Sequence, residues 1–184
     1  MGIAIAVLVI VVFSIALFLV TLYNSLTKLK VTVNEASSDI ETFLKQRYDM
    51  IPNLVEIVKG YAKHEKEIFE NVSKLRSKAM SATNVADKMA MEGQLDKALT
   101  KIFAVAEAYP ELKADKNFAD LQANLKDLET DIQKSRRFYN GTVRDFNTKL
   151  EVFPNNLFIS IFGFKAFPFF EASEEEKENV KIKF

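Results

Sequence analysis

The chain has 184 residues, enough for one domain with an appendage, and its 25 basic and 25 acidic side chains balance. This balance gives no global field that would attract nucleic acid, so we predict no nucleic-acid partner. The absence of cysteine excludes disulfides, thiolate metal sites and thiol catalysis.

The first predicted element is a membrane-spanning helix. Residues 3–20 read IAIAVLVIVVFSIALFLV, in which Ser14 has the one polar side chain. Extended to Leu22, the segment reaches the roughly 20 residues that a helix needs to cross the hydrocarbon core. A cleaved signal peptide is the alternative, but its apolar part is only about 7–15 residues long and follows a basic start. We therefore predict an uncleaved anchor at residues 1–22 that contacts the lipid bilayer through residues 2–22.

Basic side chains flank this anchor on one side. Lys28 and Lys30 follow it, and nothing basic except the amino terminus precedes it. By the positive-inside rule, we expect a single-pass protein with its N-terminus outside and its bulk in the cytoplasm.

A helical bundle is predicted for residues 23–150. Apolar side chains recur there every three or four residues, the period of one helix face. The first stretch continues from the anchor toward residues 80–84, and two others cover residues 85–106 and 118–150. The predicted fold class is all-α: an N-terminal transmembrane helix followed by an up-and-down bundle of three long helices.

Pro52 lies inside the first stretch, where a proline costs roughly 3 kcal/mol. Either one helix passes through Pro52 with a kink, or Asp49 caps a new helix after a reversal, which gives four helices. The unbroken apolar spacing from Leu44 to Val58 favours the continuous helix. Three helices would leave Leu150 far from the bilayer, whereas four would return the C-terminal tail to it.

Several short stretches of the chain form an ordered set: RYDMIPNL from residue 47, KGYAKHE from 59, YPELKAD from 109, RRFYN from 136 and VRDFN from 143, with FP and FGF near the end. Together they resemble the LemA family of bacterial membrane-anchored proteins. The resemblance covers about Tyr23 to Phe170. It implies a single N-terminal transmembrane helix carrying an all-α bundle, hence a place in the bacterial inner membrane, and it supplies no catalytic residues.

Sequence motifs that would indicate catalysis, metal binding or phosphate binding are weak in this chain. His64–Glu65 begins like the zinc motif His-Glu-x-x-His, but Ile68 stands at the fifth position and the chain has no second His. No glycine-rich loop is available to cradle phosphate. We therefore predict no catalytic, cofactor-binding or metal site, and a protein that is not an enzyme.

Three charged side chains fall on or beside apolar helix faces, namely Arg47, Glu65 and Arg136. Either their head groups reach water along the edge of the bundle, or they form buried interhelix ion pairs that set the helix register. Arg47 and Glu65 are 18 residues apart, about 27 Å along a helix. They would therefore need partners on the last helix, such as Glu129 and Arg136.

The C-terminal tail, residues 151–184, is rich in Phe and then acidic. Residues 153–170 hold seven of the sixteen Phe, including Phe162 and Phe164, and an acidic run follows from Glu171 to Glu178. The tail can cap the bundle, dip into the membrane interface, or dock on another subunit or partner. We expect some of the Phe rings to stay exposed on the bundle and to pack against a neighbouring copy of the chain. The acidic run would keep this surface soluble and limit uncontrolled association.

These features together predict a membrane-anchored, non-enzymatic helical scaffold or assembly protein that forms a homo-oligomer. A regulatory binding module for another membrane complex, with a membrane-protein partner, is the second interpretation, and an enzyme with an unrecognised site is the third. The residues with predicted structural or interaction roles are Arg47, Asp49, Pro52, Glu65, Glu129, Arg136, Phe162 and Phe164.

Overall fold

The structure, a computed structural model, describes residues 1–170, and the acidic run from Glu171 to Glu178 lies outside the described residues. Within that range the chain is all-α, so the predicted fold class is confirmed. The helices are α1 (Gly2–Tyr61), α2 (Lys66–Ser81), α3 (Val85–Ala108), α4 (Pro110–Lys113), α5 (Lys116–Glu151) and α6 (Ile159–Phe162), with a 3-10 turn at Asn155–Leu157.

The N-terminal part of α1 is apolar and exposed. Its most hydrophobic 18-residue window has a mean hydropathy of 3.4, and none of that window is buried. The Ser14 hydroxyl donates a hydrogen bond of 2.8 Å to the Ile10 carbonyl, so its polar group is satisfied within the helix. By length and composition, α1 can cross a membrane.

Pro52 lies inside α1, which continues through it to Tyr61. Its ring nitrogen has no hydrogen to give the carbonyl of Tyr48, four residues earlier. Arg76 of α2 supplies the missing donor, with Nε 2.6 Å from that carbonyl oxygen. Asp49 is therefore not a helix cap: it lies within α1 and pairs with Lys45 at 2.7 Å on the surface. The alternative of a reversal at Asp49–Pro52 is wrong.

The chain reverses later, between α1 and α2. The expectation that one helix continues toward residues 80–84 is wrong, because α1 ends at Tyr61 and α2 begins at Lys66. The turn contains a hydrogen bond of 3.3 Å from the Glu65 N–H to the Ala62 carbonyl. Gly60, a weak helix former, stands just before the break, and residues 63–67, Lys-His-Glu-Lys-Glu, are all polar.

Two compact units make up the described chain, and each is considered by itself. The bundle unit comprises residues 39–136 with Phe170. Its segments of α1, α2, α3 and α5 run alternately up and down, and their apolar faces are buried inward. The bundle unit therefore contains four long helical segments, where the sequence predicted three. The pairs that fix these directions are Arg76–Tyr48, Lys88–Glu41, Tyr61–Asp115 and Arg47–Glu129.

The anchor unit comprises residues 1–38 and 137–169. In it α5 lies alongside α1, and Lys149 of α5 hydrogen bonds to Ser25 of α1. The three-helix arrangement, from which Leu150 is expected to lie far from the bilayer, does not hold, because the added reversal brings the end of α5 back beside α1. Gly163 then ends α6 in the left-handed region, at φ 70°, where a residue without a Cβ is favoured.

Candidate functional site

A group of five charged side chains, here called the buried ion cluster, forms the polar centre of the bundle unit. It consists of Arg47 from α1, Glu92 and Asp96 from α3, and Glu129 and Arg136 from α5. Glu92 and Asp96 are one helical turn apart, and Glu129 and Arg136 are two turns apart, so each pair shares one face of its helix.

Arg47 is the hub of the cluster and is only 2% exposed. Its Nη1 lies 3.0 Å from Glu129 Oε2 and 3.4 Å from Glu92 Oε2. Its Nη2 donates to Asp96 Oδ1. Burial acts to lower the pKa of Arg47, but the three carboxylates outweigh burial and raise it. The guanidinium therefore stays charged and holds α1, α3 and α5 together.

Glu92 is the most enclosed carboxylate of the cluster, at 1% exposed. Its Oε1 accepts a hydrogen bond from the Tyr48 hydroxyl, and its Oε2 lies 3.9 Å from Arg136 Nη2. Burial raises the pKa of Glu92, and the charge of Arg47 and the bond from Tyr48 offset part of that rise. Burial, reinforced by the nearby Glu92, also raises the pKa of Tyr48, so its hydroxyl remains a donor.

Arg136 closes one side of the cluster. Its guanidinium carbon lies 4.8 Å from the centre of the Phe170 ring, a cation–π distance. Among the described residues, Nε and Nη2 of Arg136 and Oε2 of Glu92 are buried without a hydrogen bond. The contact between Arg136 and Glu92 is therefore a longer-range charge pairing.

A cleft of about 460 Å³ opens beside the cluster. Arg47, Asp96 and Glu129 line its polar side, with Lys126 nearby, and Leu99 and Phe103 belong to its apolar wall. Arg47 is paired with both carboxylates, so these three charged groups at the cleft satisfy one another. This arrangement favours a structural role over an activated catalytic group.

The predicted charged residues are thus only partly brought together. Arg47, Glu129 and Arg136 share the cluster, as the interhelix interpretation requires, whereas Glu65 lies in the turn before α2 and makes no side-chain cap bond there. Sequence reasoning missed Glu92 and Asp96. A signal existed, since Glu92 fills the helical position between Met89 and Leu95 on the apolar stripe.

Aromatic rings of the tail pack within the anchor unit. Phe162 and Phe164 have ring centres 5.4 and 5.7 Å from that of Tyr23 on α1. Phe146 of α5 lies 6.1 Å from Phe164 and 5.1 Å from Phe167. The two predicted Phe residues therefore hold the tail against both helices.

Asn147 fixes the returning chain through two hydrogen bonds, here called the Asn147 clasp. Its amide nitrogen donates to the Phe167 carbonyl at 2.9 Å, and its side-chain oxygen accepts from the Phe167 N–H at 3.0 Å. Tyr139 adds a bond of 2.9 Å from its hydroxyl to the Pro168 carbonyl. Tyr139 belongs to the stretch RRFYN and Asn147 to the stretch VRDFN, so both stretches help to hold the returning chain in place.

No group of three or more His, Cys, Asp or Glu side chains arranged to hold a metal ion occurs in residues 1–170. His64, the residue that began a zinc-like motif, is exposed in the turn between α1 and α2. The cluster carboxylates instead surround the guanidinium of Arg47.

Comparison with known proteins places these features in a family context. The model of the LemA family matches residues 36–184. Magnetosome protein MamQ 2 of Paramagnetospirillum magneticum is 24% identical over 195 residues, which cover 90% of this chain and 72% of that protein. Protein LemA of Metamycoplasma hominis is 25% identical over 158 residues, which cover 85% of this chain and 72% of that protein. The buried ion cluster and the Asn147 clasp both lie within the matched range.

Proposed function

Because the chain belongs to the LemA family, we propose that it is a non-enzymatic scaffold anchored in a bacterial inner membrane through residues 2–22. The observation that carries the proposal is the pairing of buried Arg47 with the partly exposed carboxylates of Asp96 and Glu129. Such groups set the register of three helices, and the guanidinium of Arg47 is occupied by the carboxylates it pairs with. The names of the relatives, magnetosome protein MamQ 2 and protein LemA, are not names of enzymes.

The scaffold is proposed to act as a homo-oligomer. Purified in mild detergent, the full chain should give one defined multiple of its own mass in native mass measurements. A monomer under the same conditions would contradict the scaffold.

A regulatory binding module is the second candidate, and the cleft beside Arg47 favours it. A pocket of about 460 Å³ with an apolar wall and a few polar groups has the size of a ligand site. A module predicts a monomer that co-purifies with a different membrane protein. Substituting the exposed cleft residue Thr100 by Trp should then abolish co-purification and leave the helical content unchanged.

The proposed orientation has its N-terminus outside, because Lys28 and Lys30 follow the anchor. The lack of native cysteine allows a direct test with Gly2→Cys and Asn34→Cys, both at exposed positions. A membrane-impermeant maleimide should label position 2 in intact cells and position 34 only after permeabilisation. The reverse pattern would contradict the orientation.

A further inference from the structure

We propose that the segment 152–161, here called the interfacial segment, enters the surface of the same bilayer that α1 crosses. The protein would then contact lipid at two places, the spanning helix and a short loop beside it. The inference rests on the proposed anchoring of α1 and adds a second lipid-binding element to it.

The depth of the segment follows from one contact within the anchor unit. Phe18 of α1 precedes Leu22, the predicted end of the span, by four residues, or about 6 Å of helix. The ring of Phe158 packs against Phe18, with centroids 6.0 Å apart. The depth of Phe158 differs from that of Phe18 by no more than this distance, so with Phe18 about 6 Å inside the hydrocarbon core, Phe158 lies at or inside its boundary.

The outward face of the interfacial segment is mostly apolar, with Asn156 and Ser160 as its exposed polar residues. Phe153 is 78% exposed, Leu157 59% and Ile161 73%. Three large apolar side chains exposed within nine residues of chain indicate a contact surface rather than a water-facing loop. Since their neighbour Phe158 contacts the spanning helix, the medium that meets these side chains at this depth is lipid.

The main chain of the segment is suited to a medium of low polarity. N–H groups pair within the segment, for example Phe158 with the Asn155 carbonyl at 2.9 Å and Ile161 with the Phe158 carbonyl at 3.1 Å. Unpaired N–H groups would oppose entry, because the hydrocarbon offers no replacement partner.

Polar groups lie on the side where head groups are expected. Lys149 hydrogen bonds to Ser25, which is three residues, about 4–5 Å of helix, beyond Leu22. Asn155 donates to the Lys149 carbonyl at 3.0 Å. The interfacial segment itself, residues 152–161, contains no charged residue, so its insertion relies on apolar burial and requires no anionic lipid.

Single cysteines carrying an environment-sensitive fluorophore test the proposal in the full chain, which has no native cysteine. The probe positions are Phe153→Cys, Leu157→Cys and Ile161→Cys. Val12→Cys in the middle of the span is the positive control. Asn34→Cys, twelve residues or about 18 Å of helix beyond Leu22, is the control in water. Circular dichroism selects the variants that keep the native helical content.

The labelled proteins are placed in phosphatidylcholine vesicles whose acyl chains carry nitroxide quenchers. We expect a loss of fluorescence at Val12 and at the three probe positions, and none at Asn34. Quenching at Val12 without quenching at the probe positions would contradict the proposal that the interfacial segment enters the bilayer, while still supporting the spanning helix. No quenching at Val12 would overturn the anchor itself. Probe positions shielded from both lipid quencher and aqueous iodide would indicate a second protein copy there and overturn the inference.

Discussion

The side chain of Arg76 donates a hydrogen bond of 2.6 Å to the main-chain carbonyl of Tyr48, the acceptor that Pro52 leaves without an intrahelical donor. A defect in α1 is thus repaired by α2. The same Tyr48 donates its hydroxyl to Glu92, so the repaired turn also positions a member of the buried ion cluster.

A double-mutant cycle tests this repair. Arg76→Met should lower the free energy of unfolding by about 1–3 kcal/mol, because the Tyr48 carbonyl loses its partner. In a Pro52→Ala background the new N–H of residue 52 can bond that carbonyl, so the same substitution should cost much less. Urea unfolding of the full chain in detergent, followed by circular dichroism, gives both values. Equal costs in the two backgrounds would refute the repair.

Removal of the hub of the cluster should be far more damaging than removal of a surface charge. Arg47→Met leaves Glu92 buried beside a neutral side chain and should cost about 3–5 kcal/mol in unfolding free energy. Lys45→Met is the matched control, because Lys45 pairs with Asp49 in water and such pairs contribute about 0–1 kcal/mol. The double variant Arg47→Met/Glu92→Met should recover much of the loss. If the Arg47→Met and Lys45→Met substitutions lowered the unfolding free energy by similar amounts, Arg47 would not be the hub of the cluster.

Glu92 should make stability depend on pH. Burial raises its pKa, while Arg47, Tyr48 and Arg136 offset part of the effect and Asp96 adds to it. The folded chain therefore binds this proton more tightly than the unfolded chain, whose carboxyl has a pKa of about 4.3. Glu92 thus contributes most below that value, and its contribution declines as pH rises through the raised folded pKa. In urea midpoints measured from about pH 4 to pH 8, Glu92→Gln should remove this decline. If the urea midpoint changed with pH in the same way in the wild-type protein and in Glu92→Gln, the proposed role of Glu92 in the pH dependence would be wrong.

The Asn147 clasp should control how firmly the tail is held. Asn147→Ala removes both bonds to Phe167 and should lower the local opening free energy of residues 164–169 by about 1–3 kcal/mol. Hydrogen exchange of the Phe167 amide should accelerate accordingly. Exposed Asn124→Ala, also on α5, should leave that exchange rate unchanged. An unaltered rate in Asn147→Ala would show that ring packing alone holds the tail.

Particular residues show how much of this structure could be predicted from the sequence. The apolar run before Leu22 and the spacing across Pro52 were sufficient to predict the long α1, because both are local patterns. The break after Tyr61 was missed, since Gly60 is only a weak signal when the apolar period resumes at Ile68. Glu92 was missed because its role depends on groups from α1 and α5, and one helix's periodicity carries no information about them.

The contact between Ser25 and Lys149 joins residues 124 positions apart. At a synthesis rate of 5–20 residues per second, the ribosome needs roughly 6–25 s to make the intervening chain. During that interval the buried face of α1 around Leu26 and Val33 lacks the segment 137–169 that completes its unit. With the proposed anchoring, the nascent protein is held at the membrane while an apolar face of α1 is still uncovered. Prematurely terminated chains would keep that apolar face exposed permanently.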